Sequence, residues 1–274
     1  MSVAGRVSIL TGATGGIGAA VARALAARRA SLVLAGRDAA RLGRLVEEVR
    51  ALGATAHAFV GDLLDDAFAP RLVEFATQAE GRVDAIVNCA GVQHFGFSAD
   101  ETPRATAELM QVNTVAPIAL INAALPGMIA RGDGHIVNVG SIYGSIGFPC
   151  FATYSASKFA LRGYSEALRR ELCGTGIAVS YVAPRYTRTS FNRDVVADMA
   201  KSLRMNEDEP ETVARHVLDA FERRGRNRYV GWPERLFVRI NSIMPRIVDE
   251  ALGRQVERMR PFAERAREAS SSSS

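Results

Sequence analysis

The sequence predicts an α/β fold in which a parallel sheet of about seven strands is covered by helices on both faces, the doubly wound arrangement. Three observations predict it. Short apolar segments alternate along the chain with amphipathic helical patterns. Those segments are continuously apolar, as in strands that are buried on both faces. The first of them leads through a glycine-rich loop into the first helical pattern.

The predicted strands follow one another at intervals that leave room for a helix between neighbours. They are RVSIL at 6–10, SLVLAG at 31–36, AHAFVGD at 56–62, DAIVNCAG at 84–91, GHIVNVGS at 134–141, IAVSYVAP at 177–184 and RYVG at 228–231. Helical patterns are clearest at 17–29, 38–52 and 152–172. Strands that are joined through helices pair in parallel, so residues 1–231 are expected to form one such domain.

The pattern changes at Trp232, and residues 232–274 are predicted to be a helical appendage that ends in a disordered serine tail. Apolar residues recur there at helical spacing and arginines flank them: Leu236, Ile240, Ile243 and Ile247, with Arg235, Arg239 and Arg246. Pro233 suits the first turn of a helix, and Pro245 should bend or break it. The segment is interpreted as a lid, an oligomer interface or, through 232–248, a peripheral membrane contact.

The composition excludes some function classes. The 34 basic and 29 acidic residues are interspersed, so the net charge of +5 does not indicate a nucleic-acid partner. The three cysteines show no Cys-x-x-Cys spacing, which favours buried free thiols in a reducing compartment. No metal site is predicted. No apolar run reaches the roughly 18 residues that are needed to span a bilayer, and a cytoplasmic location is expected.

The loop TGATGGIG, between the first strand and the first helix, carries glycines that let backbone N–H groups approach a pyrophosphate. The helix N-terminus adds its positive dipole end. The alternative is a tight strand-to-helix turn with no ligand. The residues assigned to cofactor contact here are Thr11, Gly12, Thr14, Gly16, Ile17 and Gly18.

The end of the second strand predicts which dinucleotide binds. NAD sites place a carboxylate there, about 20 residues after the loop, against the ribose 2′-hydroxyl. This chain has Gly36 followed by Arg37, so NADP(H) is expected in preference to NAD(H). The alternative is that Arg37 is a plain surface residue. Gly15, next to the loop, offers no second basic group, so a modest preference is expected. Further contacts are expected at Asp62, Leu63, Asn88, Ala90 and Gly91.

A second group of residues predicts hydride transfer at a carbonyl. Ser141 ends a strand, and Tyr154 and Lys158 lie one turn apart on a helix. The chain has only two lysines, and one of them stands four residues after a tyrosine. An ammonium group stabilises tyrosinate, so Lys158 should lower the pKa of Tyr154 toward neutrality. Ser141 would hold the substrate oxygen, and Lys158 would also bond the nicotinamide ribose.

These motifs together resemble the short-chain dehydrogenase/reductase family, in its shorter branch, over residues 5–231. The resemblance implies that Tyr154 is the general acid/base, Lys158 its activator, and Asn113 the support of a water-linked proton relay. It also implies cofactor contacts at Pro184, Thr187 and Thr189. The family usually has Pro-Gly where this chain has Pro184-Arg185. Arg185 is expected either to turn to solvent or to bind an anionic substrate.

The resemblance leaves other possibilities open. A non-catalytic NADP(H) sensor would need only the glycine loop, and an epimerase or dehydratase of the longer branch would have different glycine spacing. The leading hypothesis is an NADPH-dependent oxidoreductase for a lipophilic ketone or aldehyde, working as a homodimer or homotetramer. Cys89 is expected to be a core residue, and His94 either a pocket or a plain loop residue.

Overall fold

A seven-stranded sheet forms the centre of the protein in a computed structural model, which describes residues 3–192, 194–224 and 227–271. The strands are β1 (Val7–Thr11), β2 (Ser31–Gly36), β3 (Ala56–Val60), β4 (Ala85–Asn88), β5 (Gly134–Val139), β6 (Ile177–Ala183) and β7 (Asn227–Tyr229). They lie in the order β3-β2-β1-β4-β5-β6-β7, with all neighbours parallel. The predicted fold class is therefore confirmed.

Helices connect the strands. They are α1 (Gly16–Ala26), α2 (Ala39–Ala51), α3 (Phe68–Glu80), α4 (Pro103–Met110), α5 (Ala116–Arg131), α6 (Ala152–Glu171), α7 (Asp194–Ser202), α8 (Pro210–Arg223), α9 (Glu234–Ile243) and α10 (Pro245–Ser271). The three clearest helical patterns correspond to α1, α2 and α6. Asp38 caps α2, because its carboxylate accepts a hydrogen bond from the Arg41 amide at 2.9 Å.

The two faces of the sheet carry separate helical layers. Leu10 in β1 points into a core that α1, α2 and α8 share, whereas its neighbour Ile9 points into a core with α3, α5 and α6. Both side chains are fully buried. Because successive strand residues face opposite sides, burial of both explains why the strand segments are continuously apolar.

The chain order changes direction at β1, which has β2 on one side and β4 on the other. At such a switch point the loops after neighbouring strands diverge, and a crevice opens beyond the carboxyl ends of the strands. The loops after β1, β2, β4, β5 and β6 meet at this edge.

A π-helical turn, Gln111–Val115, joins α4 to α5. The continuous stretch Pro103–Arg131 is long and apolar enough, by length and composition, to cross a membrane, with a mean hydropathy of 1.5. The expectation that no segment reaches this threshold is therefore wrong. Half of its most apolar window is buried, and Leu120 and Ile121 pack beneath the sheet, as in the core helix of a globular protein.

The last two helices pack beside the crevice. Helix α9 ends at Ile243, and a new helix, α10, begins at Pro245, so the predicted break at this proline is present. Val238 of α9 packs on Ile142 and Ile146. Farther on, Met259 and Ala263 of α10 are buried in the apolar cluster that contains Tyr154. The expected disordered serine tail lies, from residue 272 onward, outside the described residues.

The cysteines are free, as expected, but they are not all buried. Cys150 is buried and Cys89 half-buried, whereas Cys173 is exposed. Cys173 follows the last turn of α6, where the chain turns through Gly174 and Gly176 at the surface toward β6, so its environment belongs to a loop.

Candidate active site

A cleft of about 340 Å³ runs along the carboxyl edge of the sheet. Its walls come from the loops after β1, β2, β3, β4, β5 and β6, from α6, and from the segment before α7. It extends from Asp62 at one end to the aromatic side chains around Tyr154 at the other. Most predicted site residues lie along it: Thr11, Gly12, Thr14, Gly16, Ile17, Gly18, Arg37, Asp62, Leu63, Ala90, Gly91, Ser141, Tyr154, Lys158, Pro184, Thr187 and Thr189.

The glycine loop brings bare backbone to the cleft. Gly12 has a φ of 64°, and a Cβ there would lie 2.6 Å from Ala90 Cα. Gly18 packs still more tightly, because a Cβ would lie 2.1 Å from the Gly12 carbonyl oxygen. The N-cap of α1 is Gly15, which offers no side-chain acceptor, and the first turn holds no acidic residue. Its amides therefore remain available to an anion, and the loop fits a pyrophosphate.

Thr11 and Asn88 support the loop from within the sheet. The Thr11 hydroxyl accepts hydrogen bonds from the amides of Cys89 at 3.2 Å and Ala90 at 3.3 Å, which ties the ends of β1 and β4 together. Asn88 does not line the cleft, contrary to expectation. It is buried, and its side-chain amide donates to Asn138 at 2.9 Å. The side chains of a strand alternate in direction, and that of Asn88 points into the protein.

Two arginines lie at the end of β2. Arg37 lines the cleft, and no carboxylate stands at Gly36. Arg41, one turn into α2, also lines it, and its guanidinium donates to the Thr14 carbonyl oxygen at 2.9 Å. Gly15 supplies no basic group, as expected, but Arg41 is a second basic residue at the cleft that the sequence interpretation did not name. Arg37 precedes the N-cap Asp38, and Arg41 lies in the first turn of α2, so both follow the end of β2 closely, and this short distance in the sequence is the signal that could have revealed Arg41.

Asp62 and Leu63 lie after β3, at the far end of the cleft from Tyr154. The Asp62 carboxylate accepts a hydrogen bond from the Leu64 amide at 3.1 Å, which fixes the turn. One carboxylate oxygen is therefore engaged in the protein and the other is available to an amino group.

Tyr154, Lys158 and Ser141 meet at the other end. Tyr154 and Lys158 lie on one face of α6 and are both buried, and the Lys158 ammonium nitrogen is 5.6 Å from the centroid of the Tyr154 ring. Ser141, at the end of β5, caps a short 3₁₀ turn, because its hydroxyl accepts a hydrogen bond from the Tyr143 amide at 3.1 Å. Its side chain also hydrogen-bonds to Tyr154.

Burial governs the proton affinities of Tyr154 and Lys158. It raises the pKa of Tyr154 to about 12, although the hydrogen bond with Ser141 acts in the opposite direction. It lowers the pKa of Lys158 to about 8. The expected lowering of the Tyr154 pKa is therefore wrong, because the effect of burial exceeds that of the hydrogen bond with Ser141. Tyr154 holds its proton at neutral pH, the form that donates to a carbonyl oxygen.

Asn113 lies behind the cleft rather than in it. It is fully buried in the π-helical turn, donates to the Val92 carbonyl oxygen at 2.8 Å and accepts from the Val92 amide at 2.9 Å. It also donates to the Ser157 hydroxyl at 3.1 Å. A Cβ on Gly91 would lie 3.2 Å from its side-chain oxygen and 3.4 Å from the Lys158 nitrogen. Asn113 therefore fixes the loop after β4 next to Lys158.

Tyr181 is a supporting residue that the sequence interpretation missed. It is fully buried in β6, accepts a hydrogen bond from the Ser141 amide at 3.2 Å, and lies within bonding distance of the carbonyl oxygens of Ser141 at 3.2 Å and Lys158 at 3.3 Å. A Cβ on Gly140 would lie 2.1 Å from the Tyr181 hydroxyl. One hydroxyl thus joins the two segments that carry the site, and only the three-dimensional structure brings these residues together.

The loop after β6 closes the cleft near Tyr154. Thr187 is buried, and its hydroxyl donates to the Arg185 carbonyl oxygen at 3.1 Å. Thr189 packs on the glycine loop, since a Cβ on Gly16 would lie 2.5 Å from its methyl group. Pro184 accepts a hydrogen bond from the Ile142 amide at 2.8 Å, which links the loops after β5 and β6.

Arg185 contradicts both of its predicted roles. Its guanidinium makes two hydrogen bonds of 2.9 Å to Asp208 and others of 3.0 and 3.2 Å to Glu234. All three side chains are largely shielded from solvent. The charge of Arg185 is thus matched within the protein and neither turns to solvent nor awaits an anion. The ion-pair cluster joins the cleft to the start of α9.

The remaining predicted residues have modest roles. His94 lies in the loop after β4 and does not line the cleft. Its Nδ1 is 3.6 Å from the Glu101 carboxylate. Cys89 lines the cleft and also packs against the core, and loss of hydration raises the pKa of its thiol to about 12. It is therefore neutral, although it lies near Lys158.

Comparisons with known proteins agree with this site. A family model described as short chain dehydrogenase matches residues 6–200. The chain is 36% identical over 197 residues to dehydrogenase/reductase SDR family member 7B of Danio rerio, covering 70% of this chain and 64% of that relative's length. A structure of a short chain dehydrogenase/reductase from Burkholderia phymatum in complex with NAD has a TM-score of 0.82 and 25% identity, covering 92% and 96% of the two chains.

A metagenomic short-chain oxidoreductase in complex with NADP has a TM-score of 0.69 and 33% identity, covering 81% of this chain and 92% of that one. The doubly wound sheet, the anion-binding loop and the buried tyrosine–lysine pair define an oxidoreductase that uses a nicotinamide dinucleotide. Since the family model covers well over half of the sequence, the chain belongs to the short-chain dehydrogenase/reductase family.

Proposed function

We propose that the protein is an NADP(H)-dependent reductase of lipophilic ketones or aldehydes. The observation that carries this proposal is the buried pair of Tyr154 and Lys158 beside Ser141, at one end of a cleft whose other end fits a dinucleotide. A protein that only senses the cofactor would have no use for a protonated tyrosine and a buried ammonium at that position.

The reaction divides between cofactor and protein. The reduced nicotinamide supplies a hydride to the carbonyl carbon when it is bound. The protein must then bind the oxygen and protonate it. The Ser141 side chain hydrogen-bonds to Tyr154, so the two hydroxyls lie next to each other. Tyr154 retains its proton at neutral pH because burial raises its pKa to about 12. The Lys158 charge lies close enough to stabilise the tyrosinate that forms.

Preference for NADP(H) rests on the end of β2. Arg37 and Arg41 both line the cleft, and no acidic residue occupies the position that would repel a 2′-phosphate. Charge-assisted hydrogen bonds from guanidinium groups to phosphate are among the stronger polar contacts in proteins. The two arginines are exposed, so their contribution depends on ionic strength.

A lipophilic substrate fits the wall beyond Tyr154. Tyr143, Phe148 and Phe151 pack against one another there, and the ring of Tyr143 stacks on Phe148 with centroids 4.7 Å apart. Phe191 approaches Tyr154 from the opposite side, with ring centroids 6.5 Å apart. Apolar walls with few polar groups favour ligands that gain from leaving water.

A panel of ketones and aldehydes of increasing apolar size, assayed with NADPH and with NADH, tests the proposal. We expect NADPH oxidation that rises with apolar surface up to the size of the pocket. Activity confined to small hydrophilic carbonyls would overturn the substrate class. Equal kcat/KM with the two cofactors would overturn the cofactor preference while leaving the reaction class intact.

A further inference from the structure

Helix α9 is oriented with its polar side toward the body of the protein. Its inner side carries Glu234, which pairs with Arg185, and Asn241, which donates to the Ser145 carbonyl oxygen at 3.0 Å. Val238 is the buried residue of the helix. An amphipathic helix of a globular protein normally turns its apolar side inward. The arrangement in α9 therefore leaves the apolar side outward.

The outward side of this region carries several large exposed apolar side chains within residues 232–247, which together we call the α9 outer face. Ile243 is 79% exposed and Trp232 is 71% exposed. The face consists of Trp232, Leu236, Phe237, Ile243, Met244 and Ile247, all of them exposed. Large apolar residues that are grouped on a surface mark a contact with another molecule or with a membrane.

Arginines surround the α9 outer face. Arg235, Arg239 and Arg246 are exposed, and none of them forms an ion pair within the described part of the chain. Arg235 also lines a neighbouring pocket of about 470 Å³ together with Arg223, Arg228 and His216. The nearest following carboxylates, Asp249 and Glu250, lie on α10, and Glu250 approaches Arg254 at 4.0 Å.

We propose that the α9 outer face binds the surface of a bilayer that contains anionic phospholipid. The apolar side chains would enter the interfacial region, and the arginines would meet the lipid phosphates. Charge complementarity decides between a bilayer and a second copy of the chain. A two-fold contact through this face would bring its arginines next to those of the other copy, whereas an anionic surface attracts them.

This inference goes beyond the proposed reaction and does not depend on it. Trp232 is the single tryptophan of the sequence, so its fluorescence reports directly on this face. The experiment titrates the full-length protein with vesicles of phosphatidylcholine alone and of an equimolar mixture with phosphatidylglycerol. Vesicle sedimentation and Trp232 emission are measured in parallel, without cofactor or substrate.

We expect sedimentation and a blue shift with the anionic vesicles, and at least about tenfold weaker binding to phosphatidylcholine alone. Ile243→Asp should abolish binding, and Arg235→Glu combined with Arg239→Glu should weaken it about tenfold or more. Leu52→Asp is the matched control, because Leu52 is 48% exposed on a different helix end, and it should bind like the wild type. Circular dichroism checks that every variant is folded.

Three outcomes would overturn the proposal. The first is that the wild type fails to bind the anionic vesicles. The second is that Leu52→Asp weakens binding as much as Ile243→Asp, which would mean that the face has no special role. The third is that Ile243→Asp leaves vesicle binding intact but dissociates an oligomer in light scattering, which would assign the face to a second copy.

Discussion

The ammonium nitrogen of Lys158 lies 5.6 Å from the centroid of the Tyr154 ring, and both side chains are buried. The charge is thus held against the group whose deprotonated form it would stabilise. Burial lowers the pKa of Lys158 to about 8, so the ammonium loses its proton as the pH rises through that value. The activity is therefore expected to depend on pH near this value.

We predict that kcat/KM for NADPH-dependent reduction falls as the pH rises through about 8. Lys158 is charged below that pH and loses its proton above it, so the support of tyrosinate is lost on the alkaline side. Lys158→Arg should lose about 10²-fold or more of the activity, because a forked guanidinium cannot reproduce the contact. Its residual activity should lack the fall near pH 8, since arginine stays charged. If kcat/KM falls equally above about pH 8 in the wild type and in Lys158→Arg, the fall does not come from Lys158.

Cofactor selectivity should depend on two arginines rather than one. Arg37→Ala and Arg41→Ala should each weaken NADPH binding about 10- to 100-fold, with little effect on NADH. Calorimetric titration of both cofactors measures this directly. Arg44→Ala, farther along α2 and not lining the cleft, is the control. If Arg41→Ala binds NADPH like the wild type, Arg41 has only its structural bond to Thr14.

Tyr181→Phe should lower the activity, although Tyr181 does not line the cleft. The change removes the hydroxyl between Ser141 and Lys158 and leaves the buried Ser141 amide without its acceptor, at a cost of about 1–3 kcal/mol. We expect kcat to fall while the KM for NADPH changes little. Tyr164→Phe provides the control, because its exposed hydroxyl bonds only to Asn122 at 3.2 Å. Similar kcat values for the two variants would contradict a positioning role for Tyr181.

Arg185→Met should loosen the C-terminal segment from the cleft. It leaves Asp208 and Glu234 facing each other without a cation, and we expect a loss of about 2 kcal/mol in unfolding free energy, between the values for exposed and fully buried pairs. Limited proteolysis should then cut faster near α9. Arg188→Met removes an exposed arginine that pairs with Glu207 and Glu209, and should be nearly neutral. Unchanged proteolysis in Arg185→Met would show that the cluster does not hold the segment.

The sequence was sufficient to predict the sheet because its central strands, such as β1 and β4, are buried on both faces and therefore continuously apolar. The site residues were predictable where a motif places them at the end of a strand or on one helix turn, as with Ser141, Tyr154 and Lys158. Arg41 lies in the first turn of α2, four residues after Arg37, and its closeness in the sequence to the end of β2 could have revealed it.

Other features depend on long-range contacts that a linear pattern does not contain. Tyr181 reaches Ser141 and Lys158 only because β5, β6 and α6 pack together. Arg185 meets Asp208 and Glu234 across distant parts of the chain, so its partners were not foreseeable. The pKa of Tyr154 depends on how completely the protein removes water around it, and this burial outweighs the hydrogen bond with Ser141.

The most direct test of the central claim compares Tyr154→Phe with the wild type on the most active carbonyl substrate of the panel, with NADPH. Only the hydroxyl supplies the proton, so we predict a loss of kcat of about 10²- to 10⁴-fold. Calorimetry should show NADPH binding by the variant within about twofold of the wild type, because the phosphate-binding residues lie at the other end of the cleft. A Tyr154→Phe enzyme that turns over at the wild-type rate while binding NADPH normally would contradict the assignment of Tyr154 as the proton donor.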